Sequence, residues 1–128
     1  MTPQELMAKA ERALASAQLL LDSGDVDGAC NRAYYAMFDA ARAALLTVQA
    51  PVPSEVARTH SGLISAFSLH LVKRGLVAVE HGRSLNKVED LRLIADYRGD
   101  PVTLDNAAWA LEQARHFLQA VQALQSKG

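Results

Sequence analysis

Glycine and proline divide the chain into long segments in which apolar residues recur every three or four positions. The last segment shows this spacing clearly, with apolar side chains at Ala107, Leu111 and Ala114. Such a period is that of an α-helix with one buried face, and no segment alternates convincingly as a β-strand would. Because the connections are short, successive helices should run antiparallel. The sequence therefore predicts an all-α, antiparallel up-and-down bundle of four long helices plus a short one.

Start and stop signals predict the approximate bounds of the helices. Thr2 is a suitable N-cap for the first helix, and Pro3 fits its first helical position. Gly82 is interpreted as separating a short turn, residues 76–81, from the helix that follows. The predicted spans are 3–23, 25–49, 59–74, 84–97 and 103–125. The residues interpreted as breaks are Gly24, Pro51, Pro53, Gly75, Gly82, Gly99, Asp100 and Pro101.

Length and charge limit the classes of protein to consider. With 128 residues, the chain can bury one core but is short for two ordinary domains, so residues 1–128 are expected to form a single domain. Thirteen Lys and Arg residues against fourteen Asp and Glu residues give a net charge of -1, which indicates no overall preference for nucleic acid or membranes. The N-terminal sequence lacks a secretion signal, and no apolar run approaches the roughly 20 residues of a membrane span. We expect a cytoplasmic protein without membrane contact.

The single cysteine and the histidines give no sign of a metal site. Cys30 cannot form an internal disulfide and is expected in the core. His60, His70 and His116 lie on predicted helices without the spacing of zinc ligands, so neither metal nor cofactor is expected. His60 lies at a predicted helix start beside Arg58, where it either helps to bind an anion or makes only local hydrogen bonds.

Arg92 falls at the edge of the apolar stripe of the segment 84–97. An unpaired charge taken out of water costs roughly several kcal/mol, so this guanidinium needs a carboxylate or a ligand. In one interpretation Arg92 pairs with Asp96, four residues later, and the phenols of Tyr35 or Tyr97 help to hold the helices in register. In the other, Arg92, Asp96 and Tyr97 line a cleft between two paired chains and face RNA or a partner protein.

The second helix carries a polar and aromatic stripe that is unusual for a central helix. Its members share roughly one side and are Asn31, Arg32, Tyr35, Asp39 and Arg42. One interpretation is a solvated face with Arg32 paired to Asp39. The other is a polar groove shared with the helix of Arg92, which makes Arg32, Tyr35 and Asp39 candidate binding residues together with His60.

Three sequence blocks occur in order along the chain. They are Asn31–Leu46, which contains Arg-Ala-Tyr-Tyr-Ala, then Thr59–Phe67, and Leu91–Tyr97, which contains Arg-x-x-Ala-Asp-Tyr. In combination they resemble a branch of the HEPN domain family, and the resemblance extends from about Pro3 to Leu124. It implies a cytoplasmic helical bundle, commonly dimeric, that is often encoded beside a minimal nucleotidyltransferase in toxin–antitoxin pairs. We expect a homodimer formed through an alanine-rich helical surface.

Many proteins of that family are metal-independent ribonucleases with an Arg followed, after four to six residues, by a His. The Arg neutralises charge on the phosphate while the imidazole moves a proton. Arg92 matches the motif Arg, but the possible His positions hold Tyr97, Arg98 and Gly99. A second spacing, Arg74 to His81, is interrupted by Gly75 and is interpreted as chance.

Two hypotheses about function follow from the resemblance. In the first, the chain is a non-catalytic module that dimerises and docks a nucleotidyltransferase, which the missing His favours. In the second, it is an RNA-cleaving toxin that uses Arg92 with Asp96, Tyr97 and His60. Whether the protein is an enzyme stays open at this point. Tyr97 is the nearest candidate for nucleotidylation by such a partner.

Overall fold

The computed structural model describes residues 1–98 and 101–127, and all regular structure in this part is helical. The α-helices are α1 Pro3–Asp22, α2 Val26–Thr47, α3 Ser54–Ala57, α4 His60–Phe67, α5 Val79–Leu93 and α6 Leu104–Ser126. A first π turn, Ser68–Val72, continues α4, and a second π turn, Ile94–Arg98, continues α5. The helices pack as an antiparallel bundle, which confirms the predicted all-α class.

Side-chain caps begin four of these helices near the residues predicted from the sequence. Each cap accepts a hydrogen bond from a backbone N–H in the first helical turn that would otherwise lack a partner. The bonds are Glu5 N to Thr2 Oγ1 (3.1 Å), Gly28 N to Asp25 Oδ1 (2.9 Å), Gly62 N to Thr59 Oγ1 (3.0 Å) and Asn106 N to Thr103 Oγ1 (3.1 Å). Gly24 and Gly75 have φ angles of 90° and 71°, a region that favours glycine, and both follow helix ends as predicted.

Gly82 does not break the chain, and that prediction is wrong. Helix α5 already begins at Val79, so Gly82 lies within it and the predicted turn at 76–81 overlaps its first residues. A Cβ atom added at Gly82 would lie 3.2 Å from Cγ2 of Val72. The glycine is therefore explained by the close approach of α5 to the first π turn. The break predicted at Gly99 and Asp100 lies outside the described residues.

Helix α2 is central, as predicted, and packs against α1, α4, α5 and α6. Alanine occupies most of its buried surface, at Ala29, Ala33, Ala36, Ala40, Ala41, Ala43 and Ala44. The small side chain allows neighbouring helix backbones to approach closely, and α1 contributes Ala10, Ala13 and Ala17 in the same way. These alanines are buried within one chain, and the expected dimer stays a prediction.

Larger apolar side chains fill the rest of the core. The rings of Phe67 and Phe117 lie 5.0 Å apart between centroids and join α4 to α6. Cys30 is fully buried, as expected, and burial raises the pKa of its thiol to about 11, with smaller contributions from the charges of Asp27 and Asp96. At neutral pH the thiol therefore stays protonated. None of the described helices combines the length and hydropathy needed to cross a membrane.

Candidate functional site

Arg92 lies near the end of α5 and is only 2% exposed, which confirms the prediction that it faces inward. The second π turn begins two residues later and carries Asp96 and Tyr97. A π turn changes the direction in which successive side chains leave the helix, and such turns are frequent at functional sites. The inward arginine and the change of helix type therefore occur together.

Two carboxylates from the same segment compensate the charge of Arg92. Glu89 accepts two hydrogen bonds, from Nε to Oε2 and from Nη2 to Oε1, both 3.1 Å long. Asp96 accepts a third from Nη1 to Oδ2, also at 3.1 Å, so the predicted pair with Asp96 is confirmed. Glu89 was missed, although its position three residues before Arg92 places it on the same helix face. One cation and two carboxylates leave a net formal charge of about -1 here.

Three phenol rings surround the guanidinium. The Arg92 Cζ atom lies 5.1 Å from the ring centroid of Tyr34, 5.8 Å from that of Tyr35 and 5.7 Å from that of Tyr97. Cation–π contacts of this kind contribute about 0.5–2 kcal/mol each, depending on their exposure. The contacts predicted with Tyr35 and Tyr97 are confirmed. Tyr34, for which no specific contact was predicted, is both buried and in contact with Arg92.

One hydrogen bond connects this cluster directly to the second helix. Asn31 on α2 donates from Nδ2 to Oδ2 of Asp96, at 3.1 Å, between residues 65 positions apart in the chain. The same Asp96 oxygen also accepts the hydrogen bond from Nη1 of Arg92. The carboxylate therefore holds α2 against the second π turn, whereas the polar groove predicted between α2 and the helix of Arg92 stays a prediction.

Arg92 and Tyr34 both stay protonated, Arg92 because of its carboxylate partners and Tyr34 mainly because of its burial. Burial by itself lowers the pKa of Arg92, but the hydrogen bonds and charge of Glu89 outweigh it and raise the pKa above its ordinary value. Burial raises the pKa of Tyr34 strongly, the charge of Glu89 raises it further, and Arg92 opposes the shift. The Tyr34 hydroxyl lies 2.8 Å from Nδ1 of His60, so the phenol can donate to a neutral imidazole.

His60 is packed against three aromatic rings at the start of α4. Its ring centroid lies 5.5 Å from Tyr34, 6.1 Å from Tyr35 and 5.4 Å from Phe38. His60 also lines an open groove of about 520 Å³ between α4 and α5, together with Glu89. The hydrogen bond of His60 is therefore not the predicted local one but a contact with Tyr34 on another helix, whereas anion binding by His60 stays a prediction.

Arg32 and Asp39 do not form the expected pair. The Arg32 Cζ atom lies 5.5 Å from the ring centroid of Tyr35, while Asp39 is buried and makes a salt bridge of 3.8 Å with Arg42. Burial raises the pKa of Asp39, against the effect of Lys9 and the two arginines. The sequence spacing allowed either arginine to pair with Asp39, and the ring of Tyr35 gives Arg32 another contact. Asp39 thus belongs to a different ion pair from that of Arg92.

This geometry restricts the chemistry available to Arg92. Each of its three nitrogens donates one hydrogen bond to a carboxylate and the residue is only 2% exposed, so a phosphate would have to enter a buried region of net negative charge. Within residues 1–97 and 101–127, no group of three or more His, Cys, Asp or Glu is placed to hold a metal ion. The cluster is thus arranged to hold helices together rather than to receive an anion.

Comparison with known proteins agrees with the resemblance noted in the sequence. A family model described as the HEPN domain matches residues 3–124. A UPF0332 protein of Gloeobacter violaceus is 37% identical over 123 residues, which cover 93% of this chain and 94% of that protein. A protein of Methanocaldococcus jannaschii named "putative toxin" is 33% identical over 119 residues, which cover 93% of this chain and 85% of that protein. A UPF0332 protein of Thermotoga maritima is 33% identical over 118 residues, which cover 91% of this chain and 85% of that protein.

We expect Arg92→Ala to lower the free energy of unfolding by about 3–5 kcal/mol, because it leaves two carboxylates without their cation. Urea denaturation followed by circular dichroism measures the change. Arg83→Ala is the matched control, since Arg83 is exposed on the same helix, and it should change stability by less than about 0.5 kcal/mol. An Arg92→Ala variant as stable as this control would contradict a structural role for the guanidinium.

Proposed function

Because the chain belongs to the HEPN domain family, we propose that it is a toxin-like helical module that binds a partner protein and does not cleave RNA through Arg92. In this proposal residues 1–128 form one cytoplasmic domain, which dimerises and pairs with a minimal nucleotidyltransferase. The toxin-like character is supported by two relatives named "putative toxin", both from Methanocaldococcus jannaschii. The non-catalytic part of the proposal is supported by the geometry around Arg92.

The observation that carries the proposal is the compensation of Arg92 by two carboxylates. A ribonuclease of this type needs a guanidinium free to stabilise charge on the phosphate and a group that transfers a proton. Arg92 is buried and already bonded to Glu89 and Asp96, and the sequence has no His at the motif positions. Asp96 Oδ2 in turn accepts hydrogen bonds from both Arg92 and Asn31.

A second candidate function is the RNA-cleaving toxin, and one observation favours it. His60 lies in the same aromatic cluster as Arg92, because both contact the rings of Tyr34 and Tyr35. An imidazole from α4 could therefore stand in for the missing motif His if Arg92 exchanged its carboxylate partners for a phosphate. This candidate requires the local ion pairs to break, which is why we rank it second.

We expect the purified protein to leave structured RNA and transfer RNA intact in the presence of EDTA, because Arg92 is buried and two carboxylates already compensate its charge. Gel electrophoresis of end-labelled RNA measures cleavage. Metal-free cleavage that persists in Arg83→Ala but disappears in Arg92→Ala and in His60→Ala would overturn the proposal and establish the second candidate.

We also expect the isolated protein to be a dimer at micromolar concentration. With the α2 alanines buried, the exposed apolar side chains near the α5–α6 connection are the better surface, among them Tyr97 and Leu104, which is 58% exposed. Size-exclusion chromatography with light scattering should show a dimer mass that Leu104→Glu shifts to monomer. Leu19→Glu, at a 71% exposed position on α1, serves as the control and should leave the dimer intact. A monomer mass for the unmodified chain would contradict this prediction.

Pairing with a nucleotidyltransferase predicts a modification of Tyr97, which is 74% exposed although its ring contacts Arg92. We expect co-expression with a minimal nucleotidyltransferase encoded beside the gene to produce a complex and to add a nucleotidyl group to the peptide that contains Tyr97. Mass spectrometry measures the addition. It should be lost in Tyr97→Phe and retained in Tyr35→Phe, where the ring is half-buried. The absence of any complex would contradict the pairing itself.

A further inference from the structure

A second cavity, of about 220 Å³, lies away from the cluster around Arg92, between the C-terminal half of α2 and the segment 50–58. Its walls are mainly apolar, and its polar lining includes two arginines, Arg42 on α2 and Arg58 after α3. The volume is below the roughly 300–1,000 Å³ of sites that hold small-molecule ligands. A cavity of this size suits one or two side chains of another protein. The apolar lining residues are Leu45, Leu46, Ala50, Val52 and Ala57, and Met1 and Ser54 also contribute.

The cavity lining carries two arginines and no carboxylate. The described partner of Arg42 is Asp39 at 3.8 Å, longer than the roughly 2.7–2.9 Å of a charge-assisted hydrogen bond. Among residues 1–97 and 101–127, no carboxylate lies within ion-pair distance of Arg58. Donor capacity therefore remains on both guanidinium groups, and an incoming carboxylate could use it.

The apolar character of the same surface extends beyond the cavity. Leu46, which lines the cavity, is 48% exposed, and Val56 on α3, next to the lining residue Ala57, is also exposed. An apolar patch bordered by arginine has the composition of a protein–protein interface. The lining contains no aromatic ring on which a nucleobase could stack, which favours a protein segment over single-stranded RNA.

We propose that this cavity, bordered by Arg42 and Arg58, is the docking site for an acidic segment of the partner protein, with one aliphatic side chain of that segment inserted against Leu45 and Val52. The carboxylates that flank the inserted side chain pair with the two arginines. This inference rests on the proposed function, since it names where the partner binds. Arg42 lies seven residues after Tyr35, about 10 Å along α2, so docking leaves the cluster around Arg92 in place.

Fluorescence anisotropy with defined peptides tests the charge and the apolar contact together. The probe is a fluorescein-labelled peptide in which one leucine is flanked on both sides by glutamates, and the comparison peptide has lysines instead. We expect only the acidic peptide to bind, and Arg42→Glu combined with Arg58→Glu to weaken it at least tenfold. Arg74→Glu combined with Arg83→Glu is the matched control, because both residues are exposed and lie outside the cavity lining. Circular dichroism verifies that each variant is folded.

Three results of this titration would overturn the docking site: equal binding of both peptides, no binding of the acidic peptide, or equal affinity in the two double variants. Labelled single-stranded RNA that binds in place of the acidic peptide, and depends on Arg42 and Arg58, would assign the cavity to nucleic acid instead.

Co-expression separates a failure of the docking site from a failure of the proposed function. If the complex with the nucleotidyltransferase forms with the unmodified chain and is lost in the Arg42→Glu and Arg58→Glu variant, both proposals are supported. A complex that persists in this variant would overturn the docking site alone. If the unmodified chain forms no complex, the proposed pairing fails, whatever the peptide titration shows.

Discussion

A guanidinium taken out of water must have its charge compensated, and the structure around Arg92 follows from this requirement. Glu89 and Asp96 provide the opposite charge, and Tyr34, Tyr35 and Tyr97 surround the remaining surface of the group. Asp96 also accepts from Asn31 and thereby connects the second π turn to the central helix. Removal of Arg92 leaves two carboxylates without their cation, and removal of Glu89 or Asp96 leaves part of a buried guanidinium without its partner, so these three residues behave as a unit.

Because the charge of Arg92 is compensated within this HEPN domain, the surfaces that can bind a partner lie away from its guanidinium. Because Glu89 and Asp96 compensate its charge, Arg92 contributes little to the potential that an approaching phosphate meets. The groups that remain accessible lie elsewhere: the exposed ring of Tyr97, the apolar side chains near the α5–α6 connection, and the cavity that carries Arg42 and Arg58. We therefore propose that the chain is a protein-binding module in which the surface for modification and self-association, which includes Tyr97, is separate from the cavity for partner docking.

Several differences between prediction and structure have a common physical cause. A glycine within a helical pattern is ambiguous, since it either ends the helix or allows a neighbour to approach, and at Gly82 the position of Val72 decides. Alanines on α2 suit close packing within one chain as well as between chains, and only the position of α1 shows that they are used internally. Likewise Arg32 and Arg42 were both within reach of Asp39, and the ring of Tyr35 makes the difference.

Spacing along a single helix was sufficient to predict the all-α class and the caps at Thr2 and Thr103. It was also sufficient for the pair of Arg92 with Asp96, because the two residues are one helical turn apart. Tertiary structure alone decided that Tyr34 meets His60 and that Arg42 and Arg58 border one cavity. These groups belong to different helices or connecting segments, and their distance is set by how the helix faces pack and by where the chain turns at Pro51 and Pro53. No periodicity within a single segment contains that information.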